Sequence, residues 1–160
     1  MLIRPATRTD LPTVKMLWNR MIRDTTSTFT SIEKTDEALE QLLLERADRF
    51  LVAEENGKCS GFVTWGSFRA GDGYVRTAEH SIITEKAGQG TGRALMESAL
   101  RVAHQQGIHV MVAGIGHENP PAVAFHQKLG FAKVGRLPQV GYKNGRWHDL
   151  ILMSRITQTP

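Results

Sequence analysis

Three glycines at alternate positions, in Gly88-Gln89-Gly90-Thr91-Gly92-Arg93, form the segment of this chain best suited by type and spacing to chemistry. Glycine lets a backbone approach a ligand closely, and the first turn of a helix offers unpaired N–H groups at its positive dipole end. Phosphate is the usual guest of such a turn, and Arg93 adds charge beside it. Two familiar phosphate patterns fail. A P-loop needs Gly-Lys-Ser/Thr, whereas Gly92 is followed by Arg93-Ala94. A dinucleotide fingerprint needs a third glycine at its sixth position, which is Arg93 counted from Gly88 and Leu95 counted from Gly90. The six histidines show no metal-ligand spacing, and Cys59, the lone cysteine, adds no ligand pair, so no metal is implied. Cys59 also has no adjacent His to activate it as a nucleophile.

The elements that must position the turn follow from hydrophobic period and punctuation. Leu2-Ile3-Arg4 reads as a short strand. A helix then opens at Thr9 or Asp10 with Pro12 in its first turn, and Leu11, Val14, Leu17, Trp18, Met21 and Ile22 recur at helical spacing. The run Thr25 to Thr30 breaks it as a loop, and a second helix, about Thr35 to Ala47, carries Leu39, Leu42 and Leu43. Phe50 to Ala53 and Gly61 to Trp65 flank Asn56-Gly57, a strong hairpin signal. A Gly/Asp loop over Arg69 to Tyr74 precedes a long strand, Val75 to Thr84, which feeds the glycine turn. The helix opened by that turn runs to about Gln106, with Leu95, Ala99, Val102 and Ala103 on one face. His109 to Ala113 is nearly continuously apolar, as a buried central strand would be. Asn119-Pro120 caps a short helix ending at Leu129-Gly130, and Phe131 to Val134 and Trp147 to Met153 supply two last strands. The order β-α-α-β-β-β-α-β-α-β-β predicts an α+β fold with a mixed sheet covered by helices.

Composition bounds the function classes. The 160 residues suit one domain, 1–160, with a single core and no linker or repeat. Hydrophobic residues at 41% and charged residues at 22% exclude a mainly disordered chain. A net charge of +4, spread without a basic block, suits an anionic ligand and gives no support for nucleic acid. No apolar run reaches the roughly 18 residues of a membrane span, the N-terminus carries no secretory pattern, and one cysteine suits a reducing compartment. A cytoplasmic protein, without membrane or nucleic-acid partners, is the expectation.

The run of strand, glycine turn, helix, strand, Asn-capped helix and Leu129-Gly130-Phe131 resembles the GCN5-related N-acetyltransferases, over Ile3 to Ile156. Four strings in order narrow the resemblance: Val52 to Gly57, Ala78-Glu79-His80-Ser81, His109 to Ile115, and Gly141 to Asp149. Together they are similar to the phosphinothricin and methionine sulfoximine (L-amino-acid) N-acetyltransferases. The resemblance implies a mixed, mostly antiparallel central sheet flanked by helices. It also implies acetyl-CoA as co-substrate and acetyl transfer to the α-amine of a small amino acid by direct attack. A homodimer is implied as well. One departure stands at Ala87, where the family turn usually begins with Gln or Arg; Gln89 is a partial substitute.

Such a transfer needs a neutral amine, donors for a tetrahedral oxyanion, and a proton for the departing thiolate. By resemblance, Glu79 is the base and His126 the candidate proton donor. Ile82, Ile83 and Thr84 pair through their backbone with the pantetheine arm. Gly88, Gln89, Gly90, Thr91, Gly92 and Arg93 hold the pyrophosphate, and Asn119 and Lys128 match coenzyme contacts. For the acceptor, the resemblance implies Phe29 as an apolar wall, Arg69 as carboxylate clamp with Arg76 a second cation, and Glu79, His80 and Ser81 along the strand. His80 alternates to the face opposite Glu79. Tyr142, Trp147 and Asp149 belong to the tail, near the acceptor site or a subunit contact. Two alternatives remain: another amine acceptor, such as a polyamine or a protein N-terminus, and a non-catalytic acetyl-CoA binder.

Overall fold

The computed structural model describes residues 1–158. Seven strands, β1 (Leu2–Pro5), β2 (Phe50–Glu55), β3 (Lys58–Ser67), β4 (Thr77–Thr84), β5 (Val110–Gly116), β6 (Ala132–Lys143) and β7 (Arg146–Ile156), form one sheet in the order β1-β2-β3-β4-β5-β7-β6. Every pairing is antiparallel except β4 with β5. Four helices, α1 (Leu11–Asp24), α2 (Asp36–Arg46), α3 (Thr91–Gln105) and α4 (Pro120–Lys128), cover its faces, so the predicted element order and the mixed sheet are found.

Alternation along the strands divides the core in two. Phe50, Val52 and Phe62 pack under α1 and α2 with Leu11, Val14, Leu17, Trp18, Ile22 and Leu39. Leu51, Ala53, Val63, Trp65 and Ala78 point the other way, against Leu95, Met96, Ala99 and Ala103 of α3. Burying each large side chain contributes about 1.5–3 kcal/mol. The same alternation sends Glu79 toward the face of α1 and α2, and His80 toward that of α3 and α4.

Several boundaries differ from the sequence reading. β4 starts at Thr77, because Asp72–Tyr74 turns as a short 3-10 helix and Val75 is left exposed. The strand expected over Phe131 to Val134 runs to Lys143, across an irregularity between Leu137 and Gly141 that accommodates Pro138 and Gln139. A second Asn-Gly turn, Asn144-Gly145 with φ of 54° and 73°, joins β6 to β7 in the backbone shape of Asn56-Gly57 at 51° and 74°. Both residues of each pair lie in the left-handed region, which this tight hairpin requires.

The feature that creates a site is the parallel junction. β4 and β5 pair only over Thr77, Ala78 and Glu79, opposite Val110, Met111 and Val112. Beyond them β4 continues to Thr84 and β5 to Gly116 without pairing to each other. The strands splay, and a wedge with backbone donors and acceptors along its sides opens in the middle of the sheet.

Candidate functional site

A cleft of about 940 Å³ follows this wedge from the glycine turn to the Thr-rich loop between α1 and α2. Its walls include Ile82, Ile83 and Thr84 on one side and Ala113, Gly114 and Ile115 on the other. Backbone groups on an unpaired strand edge need partners, so an extended ligand able to bond like a strand fits here.

Glu79 stands at the root of the wedge. Its Oε1 lies 2.8 Å from where a Cβ on Gly114 would be, so the missing side chain of β5 leaves room for the carboxylate. Partial desolvation pushes the pKa of that carboxylate, still partly open to solvent, above the ordinary glutamate value. A carboxylate held this way is a better proton acceptor than a free one.

His80 and His126 meet on the opposite face, with stacked rings and Nε2 atoms 3.2 Å apart. Their tautomers follow from the partners. His126 Nδ1 donates to the Ala122 carbonyl at 2.7 Å, which leaves its neutral Nε2 without a proton. His80 Nε2–H therefore donates to it, and His80 Nδ1, buried without a partner, is the bare nitrogen. Burial keeps both rings neutral: His80 is pulled down to about 3, by desolvation first and by His126 second, and His126 is lowered by desolvation. Neutral His126 thus passes on only a proton that reaches its Nε2.

At the mouth of the cleft, Gly88 and Gly90 have φ of 80° and 83°, a left-handed conformation other residues rarely adopt. Gly90 precedes α3, and the Ala94 N–H closes the first turn on the Gly90 carbonyl at 3.0 Å. The N–H groups of Thr91, Gly92 and Arg93 stand before that bond, as the unpaired donors of a helix start do. Gly92 also lets α3 meet α4, since a Cβ there would lie 3.2 Å from the Phe125 ring. Ala87, Gln89, Lys86, Arg93 and Lys128 line this end, with Arg93 bonded to Glu97 at 2.8 Å. Left-handed glycines, free helix donors and three cations fit a diphosphate, and the unpaired edges behind them fit the amide-rich arm of acetyl-CoA.

The other end is built by the Thr-rich loop. Asn119 caps α4 by accepting from Ala122 N–H at 3.2 Å, and its Nδ2 donates to Ser27 at 3.1 Å. Phe29 forms a wall, stacked on His148, and occupies the space a side chain on Gly141 would need. Lys143 Nζ, buried, donates to the carbonyls of Ile22, Thr25 and Thr28 at 2.6, 2.7 and 2.9 Å. The loop is thereby fastened to β6.

Sixteen of the eighteen residues singled out in the sequence line the cleft: Phe29, Glu79, His80, Ser81, Ile82, Ile83, Thr84, Gly88, Gln89, Gly90, Thr91, Gly92, Arg93, Asn119, His126 and Lys128. Arg69 and Arg76 are not brought there. Arg69 is exposed in the β3–β4 loop, over the Tyr74 ring at 5.6 Å, and Arg76 precedes β4 at the far end of α3, near Gly107. The sequence reading did not single out Arg46 and Lys34, which line the cleft, or Lys143. A glycine inside a strand, Gly66, signals a close approach and was the one available hint of Arg46, whose guanidinium lies on it.

Among the described residues, His117, Glu118 and His148 form one trio close enough to hold a metal. His117 Nδ1 accepts from Asp149 N–H and Glu118 accepts from Thr26 and Arg146, while His148 Nδ1 is buried without a hydrogen-bond partner. The trio is a knot joining the Thr-rich loop to the tail.

The chain matches the model of an acetyltransferase (GNAT) domain over residues 3–152. It is 35% identical over 160 residues to the L-methionine sulfoximine/L-methionine sulfone acetyltransferase of Salmonella typhimurium, covering 96% of this chain and 92% of that protein. The crystal structure of ribosomal-protein-alanine N-acetyltransferase from Brucella melitensis matches with a TM-score of 0.93 at 34% identity, covering 98% of this chain and 99% of that one. A GNAT superfamily phosphinothricin acetyltransferase from Sinorhizobium meliloti, solved in complex with acetyl-CoA, matches with a TM-score of 0.90 at 26% identity, covering 97% and 87%.

Proposed function

The chain belongs to the GNAT acetyltransferase family, and on that footing we propose that it moves an acetyl group from acetyl-CoA to the α-amine of a small amino acid. Methionine sulfoximine, methionine sulfone and phosphinothricin are the acceptors of choice. The observation that carries this reading is Glu79 at the root of a wedge whose mouth is the glycine turn. Acetyl-CoA, when bound, supplies the activated acyl group. The N–H groups at Thr91 to Arg93, with Lys86 and Lys128, hold its phosphates, and the open edge of β4 at Ile82 to Thr84 aligns its arm. Glu79 takes a proton from the incoming ammonium, directly or through water, which frees the lone pair needed for attack. Phe29 and Leu150 give the cleft apolar walls beside Glu79. His126 is the candidate donor to the leaving sulfur, passing on through Nε2 the proton that the newly acylated nitrogen sheds.

A second reading, a protein N-terminus as acceptor, is favoured by the likeness to the Brucella melitensis enzyme. A panel of the three amino acids, an alanine-starting peptide and spermidine, followed by release of free thiol from acetyl-CoA, separates these readings. The expected result is thiol release with the amino acids and little with the peptide. Thermal stabilisation by CoA without turnover on any amine would leave only a coenzyme-binding module.

The reading extends to one catalytic domain over 1–160, a homodimer and a cytoplasmic location. In support of the last, Cys59 is unpaired and, among the described residues, no helix is long and apolar enough to cross a membrane. The homodimer rests on the β6–β7 hairpin, where Val134, Leu137, Val140, Tyr142 and Trp147 are exposed and Tyr142 packs on Trp147 at 4.7 Å. Such a patch marks an association surface. Trp147→Glu is expected to halve the mass measured by sedimentation equilibrium; a wild-type protein already monomeric at high concentration refutes the dimer.

A further inference from the structure

We propose that the guanidinium of Arg46, laid over Gly66 beside Glu79, receives the carboxylate of the acceptor. The inference rests on the amino-acid acetyltransferase reading and names the residue that sets its acceptor class.

Arg46 is the last residue of α2, and its side chain reaches down onto β3. A Cβ on Gly66 would overlap the guanidinium itself, so the glycine makes the room in which the fork lies. Gly66 registers directly opposite Glu79. Residues opposite each other in an antiparallel pair share a sheet face, with Cβ atoms about 4.5–5.5 Å apart. The guanidinium therefore occupies the position next to the base, on the base's own face.

It is held there with hydrogen-bonding capacity unspent. The side chain is 22% exposed, and Nε is buried with no hydrogen-bond partner. The nearest carboxylate, Glu45, stands 3.5 Å from Nε outside hydrogen-bonding geometry and is itself 58% exposed. No ion pair joins Arg46 to Glu79 among the described residues. A buried polar atom without a partner in a cleft wall points to a ligand that supplies one.

The chemistry of the acceptor fixes what that ligand group is. An α-amino acid carries amine and carboxylate on one carbon. With the amine at Glu79, the carboxylate must fall within a few ångströms, and the planar fork of arginine binds a carboxylate through two parallel bonds. Arg69 and Arg76 lie outside the cleft, and the other cation on this face, Lys34, sits with Nζ 4.8 Å over the Trp18 ring.

The test compares methionine sulfone with its carboxamide, which keeps the amine and side chain but lacks the charge. For Arg46→Met, kcat/KM is expected to fall about 100-fold for the acid, mostly through KM, and less than about threefold for the amide. Arg46→Lys recovers part of the loss for the acid. Gly66→Ala, which displaces the fork without removing its charge, reproduces the same selective loss. Equal losses for acid and amide overturn the inference while leaving the acetyltransferase reading standing. If wild-type enzyme acetylates neither compound, the acceptor reading fails and takes this inference with it. Should Arg46→Met not fold, the acid-to-amide ratio in the lysine and Gly66→Ala variants decides the question.

Discussion

Glu79→Gln is expected to lower kcat for amino-acid acceptors by about 10²- to 10⁴-fold, the range typical of a lost general base, with little change in acetyl-CoA affinity. Glutamine fits beside Gly114, because it matches the shape of the carboxylate that glycine accommodates. The pH profile carries the sign. As the proposed base Glu79 works ionised, and partial desolvation raises its pKa. Wild-type activity is therefore lost as pH falls through that raised value, on an acid limb higher than an ordinary glutamate would give. In the variant the amine must lose its proton to solvent, so residual activity climbs toward the α-amine pKa of about 8. A variant with the wild-type acid limb and no alkaline recovery would falsify the assignment of the base. His126→Gln is the control: its effect reports proton supply to the thiolate and leaves that limb in place.

The largest effect on stability is expected at Lys143. In Lys143→Met the aliphatic stem is kept, while the carbonyls of Ile22, Thr25 and Thr28 lose a shared donor. A buried carbonyl left unmade costs about 1–3 kcal/mol, and partial access of water to Thr25 and Thr28 brings the total to about 3 kcal/mol. For a chain of this size that lowers Tm by about 6–12 °C. Because the same loop carries Phe29, KM for the acceptor rises while that for acetyl-CoA stays near its wild-type value. A thermal shift below about 2 °C would mean that water replaces the ammonium freely.

Particular residues show what was legible in the sequence. The element order was readable because hydrophobic period and punctuation are local: Leu11 to Ile22 repeat as a helix must, and Asn56-Gly57 turns as a hairpin must. The glycine turn was readable for the same reason, since Gly88 and Gly90 adopt left-handed angles that their neighbours alone dictate. His80 was placed on the face opposite Glu79 by strand alternation. Arg46 was not readable, because its neighbour on the sheet is 20 positions later and chosen by how α2 lies across β3. Arg69, similar to a clamp by position in its string, depended on a loop path that takes it to solvent. Lys143 was not readable either, because only the long β6 turns it inward beneath α1.

The short junction between β4 and β5 also governs how the molecule holds together. Strands from β1 to β4 and strands from β5 to β6 are two half-sheets stitched by three register positions. On the proposed reading, the seam with the fewest rungs is also the berth of the coenzyme arm. A guest that bonds to either bank closes the gap as an inserted rib would. On that reading the protein's stiffness across its own midline is partly on loan from the molecule it consumes, and is given back at each turnover.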